Sequence, residues 1–169
     1  LFRSKMELAS KEVTVEYGKT ISTEAKTYLK NDEDFLKDVT IEGIPADESG
    51  KEYPAIGEYK IVLKNTNEEQ KVRVSVKDTI APEFKDIKDK YEVEFGSKLD
   101  TKNIKTEDLS AVIVTLDDKD INYKKKGDYK ATVIAKDASG NETKKEVTIT
   151  VKEEEKKENT SSSSTSSSS

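Results

Sequence analysis

The chain has 169 residues, of which 32 % are hydrophobic and 38 % are charged, and its 30 basic and 35 acidic residues give a formal net charge of −5. This apolar content is too low for one large core and favours small domains with a polar tail. Because the two signs of charge are interleaved, we expect no basic stripe for nucleic acid and no polybasic segment for a membrane surface.

The sequence contains neither cysteine nor histidine. Disulfides, thiolate chemistry and an imidazole base are therefore excluded, and we expect no catalytic residues, no cofactor and no bound metal. No apolar run is long enough to cross a bilayer. The chain begins with Leu1 rather than methionine, so we expect a piece of a longer protein, which a signal peptide could precede.

Three short segments occur twice in the same order, which predicts two copies of one domain. The pairs are residues 13–18 and 91–96, residues 57–63 and 127–133, and residues 72–76 and 147–151. Their apolar residues recur with a period of two, which is typical of strands with one buried face. The spacing between the segments differs between the copies, as expected where surface loops change length and strands persist.

Each copy should end in an antiparallel hairpin. In the first copy, Tyr59, Ile61 and Leu63 are predicted to pair with the strand at 72–76, because residues 65–68 have the composition of a turn. In the second copy, Ser139, Gly140 and Asn141 have the same role. Residues 23–34 could hold a helical turn, and residues 100–109 show a weaker version of the same pattern. We expect both segments to be equivalent crossovers between sheets.

A short joint separates the copies. Pro82 fixes its own φ and biases Ala81 towards an extended conformation, so we expect a stiff joint, with Ile80 and Phe84 packed into the junction. After Val151 the chain becomes highly charged and then Ser/Thr-rich, a composition that predicts a disordered tether. The predicted organisation is a lead-in at 1–9, domains at 10–77 and 84–152, a linker at 78–83 and a tail at 153–169.

The last hairpin has a familiar pattern. The sequence Gly127-Asp-Tyr129-Lys-Ala-Thr-Val-Ile-Ala-Lys-Asp137-Ala-Ser-Gly140-Asn141, followed by Val-Thr-Ile-Thr-Val151, resembles the final hairpin of bacterial immunoglobulin-like surface repeats, including those related to hyalin repeats. Residues 78–82, Asp-Thr-Ile-Ala-Pro, are similar to the Asp-Thr-x-x-Pro sequence between such repeats. The first copy departs from the pattern, because Asn65-Thr-Asn67 replaces the Asp-x-Ser-Gly-Asn turn.

The resemblance implies an all-β fold of two tandem immunoglobulin-like β-sandwich domains in a secreted or wall-attached protein of a Gram-positive bacterium. Such repeats act as spacers or adhesive modules and often accompany a catalytic domain such as a cell-wall hydrolase. We therefore expect a monomeric, non-catalytic extracellular stalk. The alternative is an adhesive module for a host surface protein or a cell-wall glycan.

Several residue groups could carry chemistry. Carboxylate clusters could act in acid–base catalysis but fall in turn-like segments beside lysines, where solvated charge is the simpler interpretation. These clusters are Asp32 to Asp34, Glu68 and Glu69, Asp117, Asp118 and Asp120, and Glu153 to Glu155. Asp137, Ser139 and Asn141 offer oxygens at alternate positions for calcium, but they lack the longer ligand ladder of an EF-hand, and such residues also stabilise turns.

A Lys–Asn isopeptide bond, known from some Gram-positive surface domains, has no candidate triad, because the assignable core positions are all apolar. For glycan binding there is no tryptophan. Tyr17, Tyr59 and Tyr129 lie at core-facing strand positions and are predicted to be packing residues. Tyr28, Tyr53 and Tyr123 lie in less regular segments and remain weak candidates for a glycan platform.

Overall fold

The computed structural model describes residues 4–156. The chain divides into two compact units, Leu1–Ile80 and Ala81–Ser169, a division that falls within the predicted linker. Each unit has its own hydrophobic core. Strands dominate both units, and helical structure in the described residues is limited to one four-residue α-helix and two 3₁₀ turns. The prediction of a mainly β fold is thereby confirmed.

The first unit contains a four-stranded sheet in the order β1-β4-β3-β2. Its strands are β1 (Glu12–Glu16), β2 (Thr40–Glu42), β3 (Gly57–Lys64) and β4 (Glu69–Lys77). The predicted hairpin is confirmed, with Ile61 opposite Val72 and Tyr59 opposite Val74 in antiparallel register. Asn65 closes its turn, because its side-chain oxygen accepts the backbone N–H groups of Asn67 and Glu68 at 2.9 Å.

The second unit repeats this sheet in the order β6-β10-β9-β8 and adds a two-stranded sheet of β5 and β7. Its strands are β5 (Glu83–Lys85), β6 (Lys90–Val93), β7 (Lys105–Glu107), β8 (Val112–Asp117), β9 (Gly127–Asp137) and β10 (Glu142–Val151). The predicted β9–β10 hairpin is present, with Ile149 opposite Tyr129. Gly140 in its turn has a φ of 91°, a conformation that glycine adopts at little cost.

The first repeated segment forms an edge strand that runs parallel to the last strand of its unit. Val13 and Val15 lie beside Val74 and Val76 in the first unit, and β6 pairs in the same way with β10 in the second. The alternating pattern predicted these strands but not their partners. In each case a glycine with positive φ, Gly18 or Gly96, follows shortly after the strand ends.

The segments expected to cross between sheets contain the predicted helical turns, but in the first unit the flanking strands β1 and β2 belong to the same sheet. Residues 23–34 include a 3₁₀ turn, Ala25–Thr27, and the start of helix α1 (Glu33–Leu36). The Asp32 side chain caps this helix by accepting the backbone N–H of Phe35 at 2.9 Å. The corresponding segment of the second unit has a 3₁₀ turn at Thr101–Asn103, followed by β7, a strand that the sequence pattern did not reveal.

Each core lies between the four-stranded sheet and these crossover segments. The buried apolar residues of the first core are Met6, Tyr17, Ile21, Tyr28, Leu29, Ile61, Leu63, Val72, Val74 and Val76. Those of the second are Val93, Ile104, Ala131, Val133, Val147, Ile149 and Val151. Since Met6 is buried, the first unit includes part of the segment at 1–9 that was expected to be a lead-in.

The two apolar residues of the joint differ in burial. Ile80 is 61 % exposed, whereas Phe84 packs against the second core. Residues 153–156 at the start of the predicted tail are exposed and lack regular secondary structure. The rest of the tail, residues 157–169, lies outside the described residues. No helix in the described range is long and apolar enough to span a membrane.

Candidate functional site

The joint is held on each side by hydrogen bonds within one unit. The Glu16 carboxylate accepts the backbone N–H of Thr79 at 2.7 Å and its hydroxyl at 2.6 Å, and these two bonds lower the pKa of Glu16. In the second unit, the side chain of Pro82 is fully buried, and its carbonyl oxygen accepts the hydroxyl of Thr143 at 2.6 Å. Ile80 and Ala81 lie between these two anchors.

The turn between β9 and β10 is organised by Asp137, the one buried charged residue in the described part of the chain. Its carboxylate accepts the backbone N–H groups of Ser139 and Asn141, both at 2.9 Å, and the side-chain amide of Asn141 at 3.0 Å. This is the geometry of an Asx turn. Of the three residues considered as calcium ligands, Asp137 and Asn141 therefore bond to each other.

Asp108 precedes β8 and brings a second carboxylate to this turn. One oxygen of Asp108 and one of Asp137 lie within 4.8 Å of each other. Two carboxylates at this distance could contribute oxygen ligands to a hard cation such as Ca²⁺. Asp108 also accepts the backbone N–H of Ser110 at 2.8 Å, so both carboxylates have structural roles in the loops at this end of the sheet.

The other acidic clusters have local roles. Asp32 caps α1, Glu68 accepts the backbone N–H of Met6, and Asp118 accepts the hydroxyl of Tyr123 at 2.6 Å. Glu153 to Glu155 are exposed. The structure thus supports the interpretation of these carboxylates as turn, cap and surface residues.

The tyrosines contribute to packing, as predicted for Tyr17, Tyr59 and Tyr129. Tyr59 donates its hydroxyl to the carbonyl oxygen of Ala55 at 2.6 Å, and Tyr129 donates to that of Lys125 at 2.8 Å. In each unit the tyrosine lies near the start of the first hairpin strand, and the carbonyl oxygen that accepts its hydroxyl belongs to the residue four positions earlier. The same tie, a form of tyrosine corner, therefore occurs in both units.

Tyr28 and Tyr53, two of the weaker candidates for a glycan platform, also make contacts within the first unit. Tyr28 is 2 % exposed and donates its hydroxyl to the Ser22 carbonyl oxygen at 2.6 Å, which excludes it as a surface platform. Tyr53 makes an edge-to-face contact with Tyr17 at a centroid distance of 5.1 Å. Tyr17 in turn donates its hydroxyl to Glu48.

Two solvent-facing grooves lie on the outer faces of the sheets. The groove of the first unit has a volume of about 420 Å³ and is lined mainly by charged residues of β1, β3 and β4 and by Lys11. The groove of the second unit has a volume of about 470 Å³ and lies beside the edge strand β8, where Ile113 is 71 % exposed. Sequence reasoning missed both grooves, although the outward positions follow from the period-two pattern.

No family model matches the chain, and no curated protein matches it. Among solved structures, the chain is similar to human mucin-like protocadherin EC1-2, with 12 % identity and a TM-score of 0.35 over 87 % of this chain and 98 % of that one. It is also similar to Drosophila N-cadherin EC1-4, with 15 % identity and a TM-score of 0.34 over 87 % of this chain and 50 % of that one.

Proposed function

We propose that this chain is a non-catalytic pair of immunoglobulin-like modules that acts as a spacer or presentation stalk in a secreted or wall-attached bacterial protein. The observation that carries the proposal is the repetition of one sheet, with its parallel edge strand and its tyrosine tie, in both units. Tandem copies of a small β-domain add length to a chain without requiring a reactive site.

The anchored joint supports the same role. Hydrogen bonds hold Thr79 on one side and Pro82 on the other, so only Ile80 and Ala81 separate the anchored positions. A joint this short has few backbone torsions with which to bend. The location outside the cell and the Gram-positive source rest on the resemblance of residues 127–151 to bacterial surface repeats.

The absence of catalysis by this part of the protein is also a proposal. The one buried charged side chain in the described range, Asp137, is engaged in a turn. With neither histidine nor cysteine in the sequence, the commonest nucleophile–base pairs are unavailable. Measurable turnover of peptidoglycan by the purified chain would contradict this part of the proposal.

A distance measurement between spin labels tests the stalk. The cysteine-free chain allows labels at two introduced positions, Glu52→Cys and Lys124→Cys, which are both exposed. We expect a narrow distance distribution that becomes broad when a Gly-Ser-Gly-Ser insertion separates Ile80 from Ala81. A wild-type distribution as broad as that of the insertion variant would contradict a stiff stalk.

A binding module is the second candidate, favoured by the two solvent-facing grooves. A glycan array and a pull-down of surface proteins with the two-unit chain distinguish the candidates. Specific, saturable binding that is lost on substitution of groove residues would support an adhesive module and contradict a pure spacer.

A further inference from the structure

The groove of the first unit contains more positive charge than its own carboxylates neutralise. Four cationic side chains line it, together with the carboxylates of Glu12 and Glu58; the cations are Lys11, Lys60, Lys71 and Arg73. Arg73 pairs with Glu12 at 3.6 Å. Within residues 4–156, no carboxylate oxygen lies within 4.0 Å of the other three amines.

The arrangement of these cations is unfavourable for the isolated sheet. Lys60 on β3 lies directly opposite Arg73 on β4, and like charges at opposed positions destabilise a strand pair. Both side chains are exposed and so add nothing to the core. Glu12, directly opposite Arg73 on β1, compensates the guanidinium, so within residues 4–156 the charge that the sheet leaves without an ion pair in this row is that of Lys60.

The second unit shows that the fold does not require this charge. By register, Lys60 and Arg73 correspond to Lys130 and Thr148. Lys71, which lies opposite Val62, corresponds to Glu146, which lies opposite Thr132. In the second unit Lys130 forms an ion pair with Glu146 at 3.6 Å. The second unit thus neutralises Lys130 with a glutamate, whereas the first unit has a further cation, Lys71, at the position of that glutamate.

The spacing of the cations indicates the shape of a ligand. Lys71 and Arg73 are two residues apart on one strand and project from the same face, which separates them by about 7 Å along β4. An extended peptide with acidic residues at alternate positions has the same repeat, because it is itself a strand.

We propose that this groove binds an extended acidic segment of a partner protein, whose alternate carboxylates contact Lys71 and Arg73 while Lys11 and Lys60 flank them. The proposal goes beyond a spacer function, and it does not depend on the observations that support the spacer. The exposed site should bind weakly at high ionic strength, because salt screens exposed charges over about 8 Å at physiological concentration.

Fluorescence anisotropy with a labelled peptide of alternating glutamate and threonine tests the proposal on the full chain. We expect saturable binding that weakens about tenfold or more in the double variant Lys71→Glu with Arg73→Thr, since several exposed ion pairs are lost together. These substitutions introduce the residues that the second unit has at the same positions, so we expect the variant to fold, which circular dichroism checks.

A matched control changes the same charges on the outer face of the second unit, Lys136→Glu with Lys144→Thr, and should leave peptide binding unchanged. The reciprocal variant, Glu146→Lys with Thr148→Arg, should create a second binding event on the second unit. Equal weakening by the control, or no saturable binding by the wild type, would overturn the proposal.

Two further probes test the class of ligand. A peptide of the same composition with its glutamates contiguous should bind more weakly, and equal binding would overturn the spacing argument. Inorganic polyphosphate should bind more weakly than the alternating peptide, and tighter binding would overturn the assignment to an acidic polypeptide. The spin-label experiment on the joint has an independent readout, so a failure of one proposal is distinguishable from a failure of the other.

Discussion

Gly43, directly after β2, occupies a position that other residues cannot enter without distortion. Its φ is 91°, and a Cβ at this position would overlap the carbonyl oxygen of Lys60 on β3. Gly50 also has a positive φ, of 77°, but a Cβ there would meet no atom within 4 Å. A comparison of alanine substitutions at the two positions therefore separates the free-energy cost of the backbone conformation from the cost of a steric clash.

We expect Gly43→Ala to lower the free energy of unfolding of the first unit by about 3 kcal/mol, through backbone strain and displacement of β3. Gly50→Ala, the matched control, should cost about 1 kcal/mol through backbone strain alone. Urea unfolding followed by NMR signals of the first unit measures both. Equal losses for the two variants would show that the sheet moves freely away from the added methyl group.

Two tyrosine hydroxyls should make stability sensitive to alkaline pH. The hydrogen bond to Glu48, with burial, raises the pKa of Tyr17 above its ordinary value of 10.0. Burial, with the hydrogen bond to Asp118, raises the pKa of Tyr123. In both cases the folded unit holds the proton more tightly than the unfolded chain does.

Because the folded pKa is raised, this stabilisation is fully present below the unfolded pKa of about 10 and is lost as pH rises above it. We expect the free energy of unfolding of the first unit to fall above this pH, and Tyr17→Phe to reduce the slope. Urea unfolding at a series of pH values measures the effect. Tyr123→Phe is the control, and it should leave the slope for the first unit unchanged.

At the scale of elements, the hairpins were predictable and their parallel partners were not. Alternating apolar residues on both sides of a turn identify β3–β4 and β9–β10, because a hairpin joins neighbours in sequence. The pairing of β1 with β4 joins segments some sixty residues apart, as Glu12 opposite Arg73 shows. A period-two pattern indicates which face of a strand is buried but carries no information about a distant neighbour.

The β9–β10 turn should depend on Asp137. We expect Asp137→Ala to lower the free energy of unfolding of the second unit by about 2–3 kcal/mol, because the backbone N–H groups of Ser139 and Asn141 lose a charged acceptor. Asp120→Ala, at an exposed position, should change stability by less than about 0.5 kcal/mol. Thermal unfolding of the second unit measures both, and equal effects would show that the Asx turn is dispensable.

At the scale of the whole molecule, each unit has a separate core and should unfold as its own cooperative unit. Val72 and Val147 occupy corresponding buried positions, with exposures of 0 % and 1 %. We expect Val72→Ala to destabilise the first unit by about 2 kcal/mol, through lost burial and a residual cavity, and Val147→Ala to do the same to the second.

Hydrogen exchange measured by NMR on the full chain resolves the two units and checks this prediction. The wild-type unit of each variant is the internal control and should keep its protection. Loss of protection in both units after one substitution would mean that the chain unfolds as a single cooperative structure.

Periodicity and turn composition by themselves determined the β class, both hairpins and the helical turns, because these features depend on residues close together in the chain. The packing role of the tyrosines followed from the same alternation. The exposure of Ile80 was not predictable, because an apolar residue in a joint carries no signal that tells a buried position from an exposed one.

Only the tertiary structure decided the parallel edge strands, the burial of Met6 and the charge of the outer sheet faces. Each of these features depends on which distant strands become neighbours, and loop closure between them is not encoded in any local pattern. Lys60 and Arg73 are ordinary surface residues in the sequence. They become a cationic groove only when β3 and β4 place them opposite each other.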